Sequence, residues 1–210
     1  MTTIMQLSTL YEEECWFPEG ARIIDLRSTE GTNCYCSPAA AGIIRKALRG
    51  LSPHGLHWID TGDYHYLSLF WMELLREPFA LALFDNHPDD QDGAFDAGTL
   101  SCGNWVKEAR RSLPLMKADY RNTAEIPLDL PVYLSIDLDV MPRQYARTDW
   151  NQGELARSLL ISDIGRIAAE HRILGIDVCG GITAGKGGGA EDYLINTGTR
   201  KVLQDCLSKV

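Results

Sequence analysis

Short apolar runs alternate along this chain with longer segments in which apolar residues recur at a helical spacing. The runs that predict strands are 22–26, 56–59, 79–84, 131–136 and 173–178. The segments that predict helices are 38–49, 64–75, 103–112, 164–171 and 191–207. Continuously apolar strands are typical of parallel sheets that helices cover on both faces. The pattern therefore predicts an α/β fold with a mainly parallel sheet.

Capping residues and polar segments refine these boundaries. Ser37 followed by Pro38 predicts a helix N-cap and first helical position, and Ser162 with Asp163 predicts the cap of helix 164–171. Helix 64–75 is predicted to be amphipathic. The segments predicted as loops are the polar stretches 88–98 and 141–153 and the glycine-rich stretch 180–189. No repeat or linker-like segment interrupts the pattern, which predicts a single domain over residues 1–210.

The segment 85–89, which reads DNHPD, directly follows the apolar run 79–84. Asp85, His87 and Asp89 stand at alternate positions, so in extended chain their side chains would share one face. Open α/β sheets place their ligands at the carboxyl ends of the strands. The segment therefore predicts a metal site there, with a polar turn as the alternative.

A second acidic pair follows the apolar run 131–136. Asp137 and Asp139 also share a face, and two bare carboxylates so close together would raise each other's pKa. A bound dication would remove that repulsion. His65 follows the strand 56–59 and is expected at the same edge of the sheet, near the start of the next helix. A D-x-D segment or a histidine at such a position can also be purely structural.

The net charge indicates which partners to expect, and the cysteines indicate which cellular compartment. With 45% hydrophobic residues the chain can build a sizeable core, and its net charge of −9 without a basic run indicates no nucleic-acid partner. Six cysteines without a C-x-x-C pair, and no apparent signal peptide, favour free thiols in the cytoplasm. No apolar run approaches the ~20 residues of a membrane span. A small-molecule substrate is expected, and a homo-oligomer is left open.

The candidate ligands balance the charge of two metal ions. Asp85, Asp89, Asp137 and Asp139 carry four negative charges, which two divalent cations would neutralise. Mixed carboxylate and imidazole ligands suit Mn²⁺, with iron, cobalt or zinc as alternatives. Two such ions about 3.5–4 Å apart can share a water and lower its pKa toward neutrality.

Three segments in this order resemble motifs of the arginase and agmatinase (ureohydrolase) family. The family's GGDH, D-A-H-x-D and S-x-D-x-D motifs correspond to Gly62-Asp63-Tyr64-His65, to the segment 85–89 and to the segment 135–139, which reads SIDLD. The resemblance spans most of residues 20–208. It implies a three-layer α/β/α sandwich around the parallel sheet.

The resemblance also implies a dinuclear manganese centre in a hydrolase of non-peptide C–N bonds. By this resemblance His65, Asp85, Asp89 and Asp137 would hold one ion. Asp85, His87, Asp137 and Asp139 would hold the other, with Asp85 and Asp137 bridging. Asp139 is the candidate catalytic residue, which would orient the nucleophile and take part in proton transfer.

The chain departs from the family pattern at several positions. An extra residue in the GGDH-like segment leaves His65 or a neighbour as the first ligand. The Asp-Pro that usually follows the second acidic pair is absent, as is the histidine expected after D-A-H-x-D. Gly180 stands where the family has the glutamate that recognises the guanidinium group. The metal centre is predicted to be retained and the arginine-type pocket is not.

Three other functions remain open. A non-catalytic metal-binding or regulatory protein would keep the site without turnover. A phosphatase could use Asp137 and Asp139, with Lys186 and the Glu191-Asp192 pair in its later motifs, but it would leave the 85–89 segment unexplained. A mononuclear zinc deacetylase would need only two aspartates and one histidine. Trp105 is interpreted as a core residue, as is Cys179, which at a strand end could also line the pocket.

Overall fold

The strands form one large sheet and one small ribbon. The computed structural model describes residues 1–92 and 99–210, so residues 93–98 of the predicted loop 88–98 lie outside the described residues. The strands are β1 (Thr2–Gln6), β2 (Arg22–Asp25), β3 (Tyr35–Cys36), β4 (Leu56–Trp58), β5 (Phe79–Phe84), β6 (Leu100–Ser101), β7 (Met116–Tyr120), β8 (Val132–Asp137) and β9 (Ile173–Cys179). Over the described residues, seven strands pair in the order β2-β1-β4-β9-β8-β5-β7, with every pairing parallel. β3 and β6 form a separate antiparallel ribbon.

Helices cover both faces of the sheet. They are α1 (Leu10–Glu13), α2 (Pro38–Leu48), α3 (Leu67–Met72), α4 (Trp105–Ser112), α5 (Arg157–Glu170) and α6 (Ala190–Leu207). One apolar core joins α2, α3 and α4 to strand residues such as Leu81 and Leu83. A second core joins α1, α5 and α6 to Ala80, Ala82 and Phe84, the alternate residues of the same strand. The fold is therefore the predicted three-layer α/β/α sandwich.

Two strands of the large sheet were not predicted from the sequence, and neither was the β3–β6 ribbon. β1 is short but lies inside the sheet between β2 and β4, so the predicted first strand 22–26 is the second strand and forms the sheet edge. β7 carries the polar sequence MKADY and forms the opposite edge. Edge strands face solvent and tolerate polar residues, which hides them from an apolar-run criterion.

Two helix predictions were wrong in detail. The predicted cap at Ser162 and Asp163 lies inside α5, which begins at Arg157 after Ala156. Buried Leu160, Ile164 and Ile167 set the length of this helix, and their packing outweighs the capping signal. The predicted amphipathic helix 64–75 is a 3₁₀ turn followed by α3, all of whose residues are buried.

Within the part of the chain that the structure describes, each helix is too short or too polar to cross a bilayer.

Candidate metal centre

The carboxyl ends of four adjacent strands bring the predicted ligands together. β4, β9, β8 and β5 are consecutive neighbours in the sheet, so the segments that leave them meet at one edge. The predicted residues at this edge are His65, Asp85, His87, Asp89, Asp137 and Asp139. All are buried except His87, whose side chain is 26% exposed. Residues from three separate motifs therefore share one buried cluster.

The two aspartates at the strand ends are held in the same way. Oδ1 of Asp85 accepts the backbone N–H of His87 at 2.6 Å, and Oδ1 of Asp137 accepts that of Asp139 at 2.9 Å. Each carboxylate thus forms a turn with its own backbone two residues on. The other oxygen, Oδ2, is left to face the cluster, and that of Asp85 is buried without a hydrogen-bond partner.

His65 presents one ring nitrogen to these carboxylates. Its Nε2 lies 2.9 Å from Oγ of Ser135, and that hydroxyl donates to Oδ1 of Asp177 at 2.7 Å. Because the Ser135 hydrogen points to Asp177, Ser135 accepts from His65, and the network places the ring proton on Nε2. Nδ1 then carries the lone pair, as a metal-binding histidine requires.

The bare nitrogen of His65 points into the cluster. It lies 3.1 Å from Oδ2 of both Asp85 and Asp89 and 3.7 Å from Oδ2 of Asp137. Nδ1 is buried and makes no hydrogen bond with any of them. Four buried donor atoms so close together, with two of them unpartnered, fit a common cation better than a hydrogen-bonded network.

Asp89 is held by α4. Its Oδ2 accepts the indole N–H of Trp105 at 2.6 Å, and its carbonyl accepts the backbone N–H of Val106 at 3.0 Å. Asp89 has a φ of +47°, a left-handed conformation that is uncommon outside glycine but occurs at functional sites. Trp105, predicted as a core residue, is buried and also orients a predicted ligand.

His87 and Asp139 form the more exposed half of the cluster. Nδ1 of His87 lies 2.8 Å from Oδ2 of Asp139 and 3.7 Å from Oδ1 of Asp85. Oδ1 of Asp139 accepts the backbone N–H of Asn86 at 3.0 Å. Arg121, just after β7, donates to the carbonyls of Asp85 and His87 and so fixes this loop. Sequence reasoning missed Arg121 because it missed β7.

Among the described residues, three sets of donor atoms are each close enough together to hold one ion. The sets, whose members lie within 4.8 Å of one another, are His65, Asp85 and Asp89; Asp85, His87 and Asp139; and His65, Asp137 and Cys179. Asp85 belongs to the first two, as expected of a bridging ligand. Asp137 falls on the His65 side, and its bridging role stays a prediction. These carboxylate and imidazole donors fit a divalent cation.

In the absence of a cation, burial and neighbouring charges shift the pKa values of the side chains in the cluster. Burial raises the pKa of Asp139 to about 9, and the carboxylates of Asp137 and Asp85 act in the same direction. Burial likewise raises the pKa of Asp137 to about 6. Contact with Asp85 raises the pKa of His87 to about 9. Burial also acts to raise the pKa of Asp85, but contacts with His65 and His87 outweigh it and hold that pKa below its usual range.

Comparisons with known proteins agree on the fold. No family model matches the sequence. A protein of Thermotoga maritima, described as an uncharacterized protein, is 28% identical over 196 residues, which cover 84% of this chain and 78% of the relative. Formimidoylglutamase from Bacillus subtilis superposes over 99% of this chain and 86% of its own, with a TM-score of 0.66 and 11% identity. Proclavaminate amidino hydrolase from Streptomyces clavuligerus does so over 99% and 92%, with a TM-score of 0.65 and 15% identity.

This chain has the arginase-like fold. A third structural relative, a hypothetical agmatinase from Burkholderia thailandensis, covers 99% of this chain and 84% of its own at 16% identity, with a TM-score of 0.61. The fold that the three sequence motifs implied is therefore confirmed.

Within the arginase-like fold, the side chains of Asp63 and His65 point in different directions. Asp63 turns away from the cluster: its Oδ1 accepts the indole N–H of Trp150 at 3.1 Å, and its Oδ2 lies 3.3 Å from Nζ of Lys186. His65 is the member of this segment that faces the carboxylates. Lys186 contacts Asp63 and Asp149, so the lysine of the phosphatase alternative is engaged away from the Asp137 pair.

Gly180 leaves no room for the side chain that the ureohydrolase pattern expects. Its φ is +102°, and an added Cβ would lie 2.7 Å from Oδ1 of Asp137 and 2.9 Å from the backbone nitrogen of Leu138. Any side chain here would push against a predicted ligand. The backbone conformation at Gly180 and its close neighbours therefore exclude a glutamate side chain at this position of this arginase-like chain.

A cavity of about 230 Å³ opens onto the cluster. Its wall includes the site carboxylates and also residues of the β3–β6 ribbon and the 141–153 loop. The lining residues outside the cluster include Cys34, Tyr35, Ser101, Cys102 and Trp150. This volume accommodates a small organic molecule next to the metal ligands.

Proposed function

We propose that this protein is a metal-dependent hydrolase that cleaves a C–N bond in a small amide or amidine. The observation that carries the proposal is the convergence of Nδ1 of His65 and Oδ2 of Asp85, both buried, unpartnered and 3.1 Å apart, beside further carboxylates. The arginase-like fold supports it, since the comparable proteins include an amidino hydrolase and a formimidoylglutamase.

We further propose two ions, with Mn²⁺ as the first candidate. His65, Asp85, Asp89 and Asp137 would hold one, and Asp85, His87, Asp137 and Asp139 the other. The shared position of Asp85 in two donor sets supports this division. When bound, such a pair supplies a water acidic enough to act as a nucleophile near neutral pH.

Asp139 is the proposed catalytic residue. It lines the cavity, and the backbone N–H of Asn86 holds its Oδ1 in place. This position beside the proposed metal-bound water suits a group that exchanges a proton with the nucleophile. Its partner His87 also lines the cavity and contacts the ring of Trp150, with the ring centroids 5.6 Å apart.

The substrate is proposed to lack an arginine-type recognition mode. Gly180 stands where the ureohydrolase pattern has the glutamate that recognises a guanidinium group. A small amide or amidine that contacts the β3–β6 ribbon and Trp150 therefore fits the cavity better than an arginine-type substrate. The net charge of −9 with no basic run favours a small-molecule substrate over a nucleic acid. The free cysteines favour the proposed cytoplasmic location.

The convergence of Nδ1 of His65 and Oδ2 of Asp85 also favours a second candidate, a metal-binding protein without turnover. A direct test is a screen of manganese-loaded protein against a panel of amides and amidines, with Asp85→Asn as the inactive variant. Asp129→Asn, a substitution at an exposed loop position, is the matched control. Turnover that is lost in Asp85→Asn and kept in Asp129→Asn supports the hydrolase. Metal-replete protein that converts nothing across the panel supports the binding protein.

A further inference from the structure

Cys179 is the last residue of β9 and stands beside a predicted metal ligand. Asp137 and Cys179 are register partners on the neighbouring strands β8 and β9. Partners on adjacent parallel strands point to the same face of the sheet. Cys179 is fully buried, and its Sγ lies 3.0 Å from Oδ2 of Asp137.

The position of this sulfur has the geometry of a metal ligand. Sγ of Cys179, Nδ1 of His65 and an Asp137 oxygen all lie within 4.8 Å of one another. With metal–sulfur and metal–oxygen bonds of about 2.3 and 2.1 Å, two neighbouring ligands are about 3.1 Å apart at a right angle and about 3.6 Å apart at the tetrahedral angle. In the structure Sγ donates to the carboxylate oxygen at 3.0 Å, which is close to the right-angle spacing.

A second observation points to a ligand at the same place. Nδ1 of His65 is buried, makes no hydrogen bond and faces the carboxylate oxygen that Cys179 contacts. The sulfur therefore borders the space into which an unpartnered nitrogen points. An ion held by that nitrogen and that oxygen would lie within reach of Sγ as well.

We infer that the thiolate of Cys179 is a ligand of the ion on the His65 side. This ion then has sulfur, nitrogen and oxygen donors, whereas the ion on the His87 side has only nitrogen and oxygen. Thiolate ligands favour zinc, iron and cobalt, while carboxylates suit manganese. The two positions differ in metal preference, and the His65 side selects the softer ion. The inference rests on the metal centre of the proposed function and not on turnover.

Cobalt makes the sulfur ligand visible in the full-length protein. We expect Co²⁺ added to metal-free protein to give visible d–d bands together with a sulfur-to-cobalt charge-transfer band in the near ultraviolet. Cys179→Ser is expected to lose the charge-transfer band and keep the d–d bands. Cys36→Ser is the matched control, because Cys36 is also buried but contacts the carbonyl of Ser37.

The possible outcomes separate this inference from the proposed function. Wild-type protein with d–d bands and no charge-transfer band would overturn the thiolate ligand and leave the metal centre standing. Wild-type protein that binds no cobalt would overturn both.

A second measurement needs no variant, in case Cys179→Ser does not fold. X-ray absorption of the zinc-loaded wild-type protein is expected to show a sulfur neighbour at about 2.3 Å in addition to nitrogen and oxygen at about 2.0–2.1 Å. A shell of nitrogen and oxygen alone contradicts the inference.

Metal competition tests the consequence for selectivity. Replacing Cys179 by serine is expected to lower the affinity for Zn²⁺ by about tenfold or more. The affinity for Mn²⁺ is expected to fall less, because thiolate is a poorer ligand for manganese than for zinc, so the preference for Zn²⁺ falls. An unchanged ratio of the two affinities would show that sulfur does not set the preference.

Discussion

The two ring nitrogens of His65 have different tasks. Nε2 is fixed by Ser135, which is fixed in turn by Asp177, so Nδ1 faces Asp85 and Asp89 with its lone pair. Ser135 and Asp177 are register partners on β8 and β9, and both are fully buried. The sheet therefore supports the site with a layer of polar residues beneath the ligands.

Removing Ser135 tests this support. Ser135→Ala takes away the acceptor of the His65 N–H, so the ring loses its orientation and metal affinity is expected to fall roughly 10- to 100-fold. Ser162→Ala, at an exposed position on α5, is the control and is expected to leave affinity unchanged. Isothermal titration with Mn²⁺ measures both, and equal affinities would show that Ser135 is only a packing residue.

Gly180 offers a second test at a single position. Gly180→Ala places a Cβ against Asp137, so both stability and metal affinity are expected to fall. Gly187→Ala is the matched control, because Gly187 has a similar φ of +95° but an added Cβ would contact nothing within 4 Å. It carries the same backbone strain without displacing a ligand. If both variants bind metal like the wild type, Gly180 does not protect the site.

At the level of elements, sequence patterns succeed where burial is continuous. β5 has the predicted bounds because all six of its residues are buried and the strand is paired on both sides, with β8 and with β7. β7 was missed because its lysine and aspartate lie on an exposed edge. The start of α5 was misplaced because a capping signal was weighed above the apolar stripe that the core required. Local signals thus predicted the elements that bear the site better than those at the periphery.

The two serines proposed as caps give opposite predictions. Oγ of Ser37 accepts the backbone N–H of Ala40 at 3.1 Å, so Ser37→Ala is expected to cost about 1 kcal/mol of unfolding free energy. Ser162 lies exposed inside a helix, where alanine is the better helix former, so Ser162→Ala is expected to raise it by up to about 0.5 kcal/mol. Urea denaturation of both variants measures the difference, and a loss of similar size in each would contradict the observed start of α5.

The whole molecule determines which strand ends meet. The sequence motifs predicted six residues at one edge, and the structure brings all six together because β4, β9, β8 and β5 are neighbours in the sheet. The order of the strands could not be predicted from local patterns. The contacts that Arg121 and Ser135 make depend on that order, and the sequence patterns therefore did not predict them. For Cys179, the sequence predicted a strand end beside the pocket but not the contact with Asp137.

Metal binding is expected to depend on pH, because the metal-free cluster holds protons that a cation must displace. The pKa values of His87 and Asp139 are both raised to about 9, so the cluster is more protonated below that pH. Affinity for Mn²⁺ should therefore rise as pH rises from about 6 to 9, by up to about tenfold per pH unit for each proton released. Titration calorimetry in buffers of different ionisation enthalpy counts those protons. An affinity that is flat over this range would contradict the arrangement.

The metal content of the protein tests the central claim most directly. Elemental analysis of full-length protein purified without chelator and then loaded with manganese is expected to give close to two divalent ions per chain, and fewer in Asp85→Asn, which lacks the shared ligand. Less than about half an equivalent of any transition metal in the wild-type protein would contradict the metal centre and the hydrolase proposed from it.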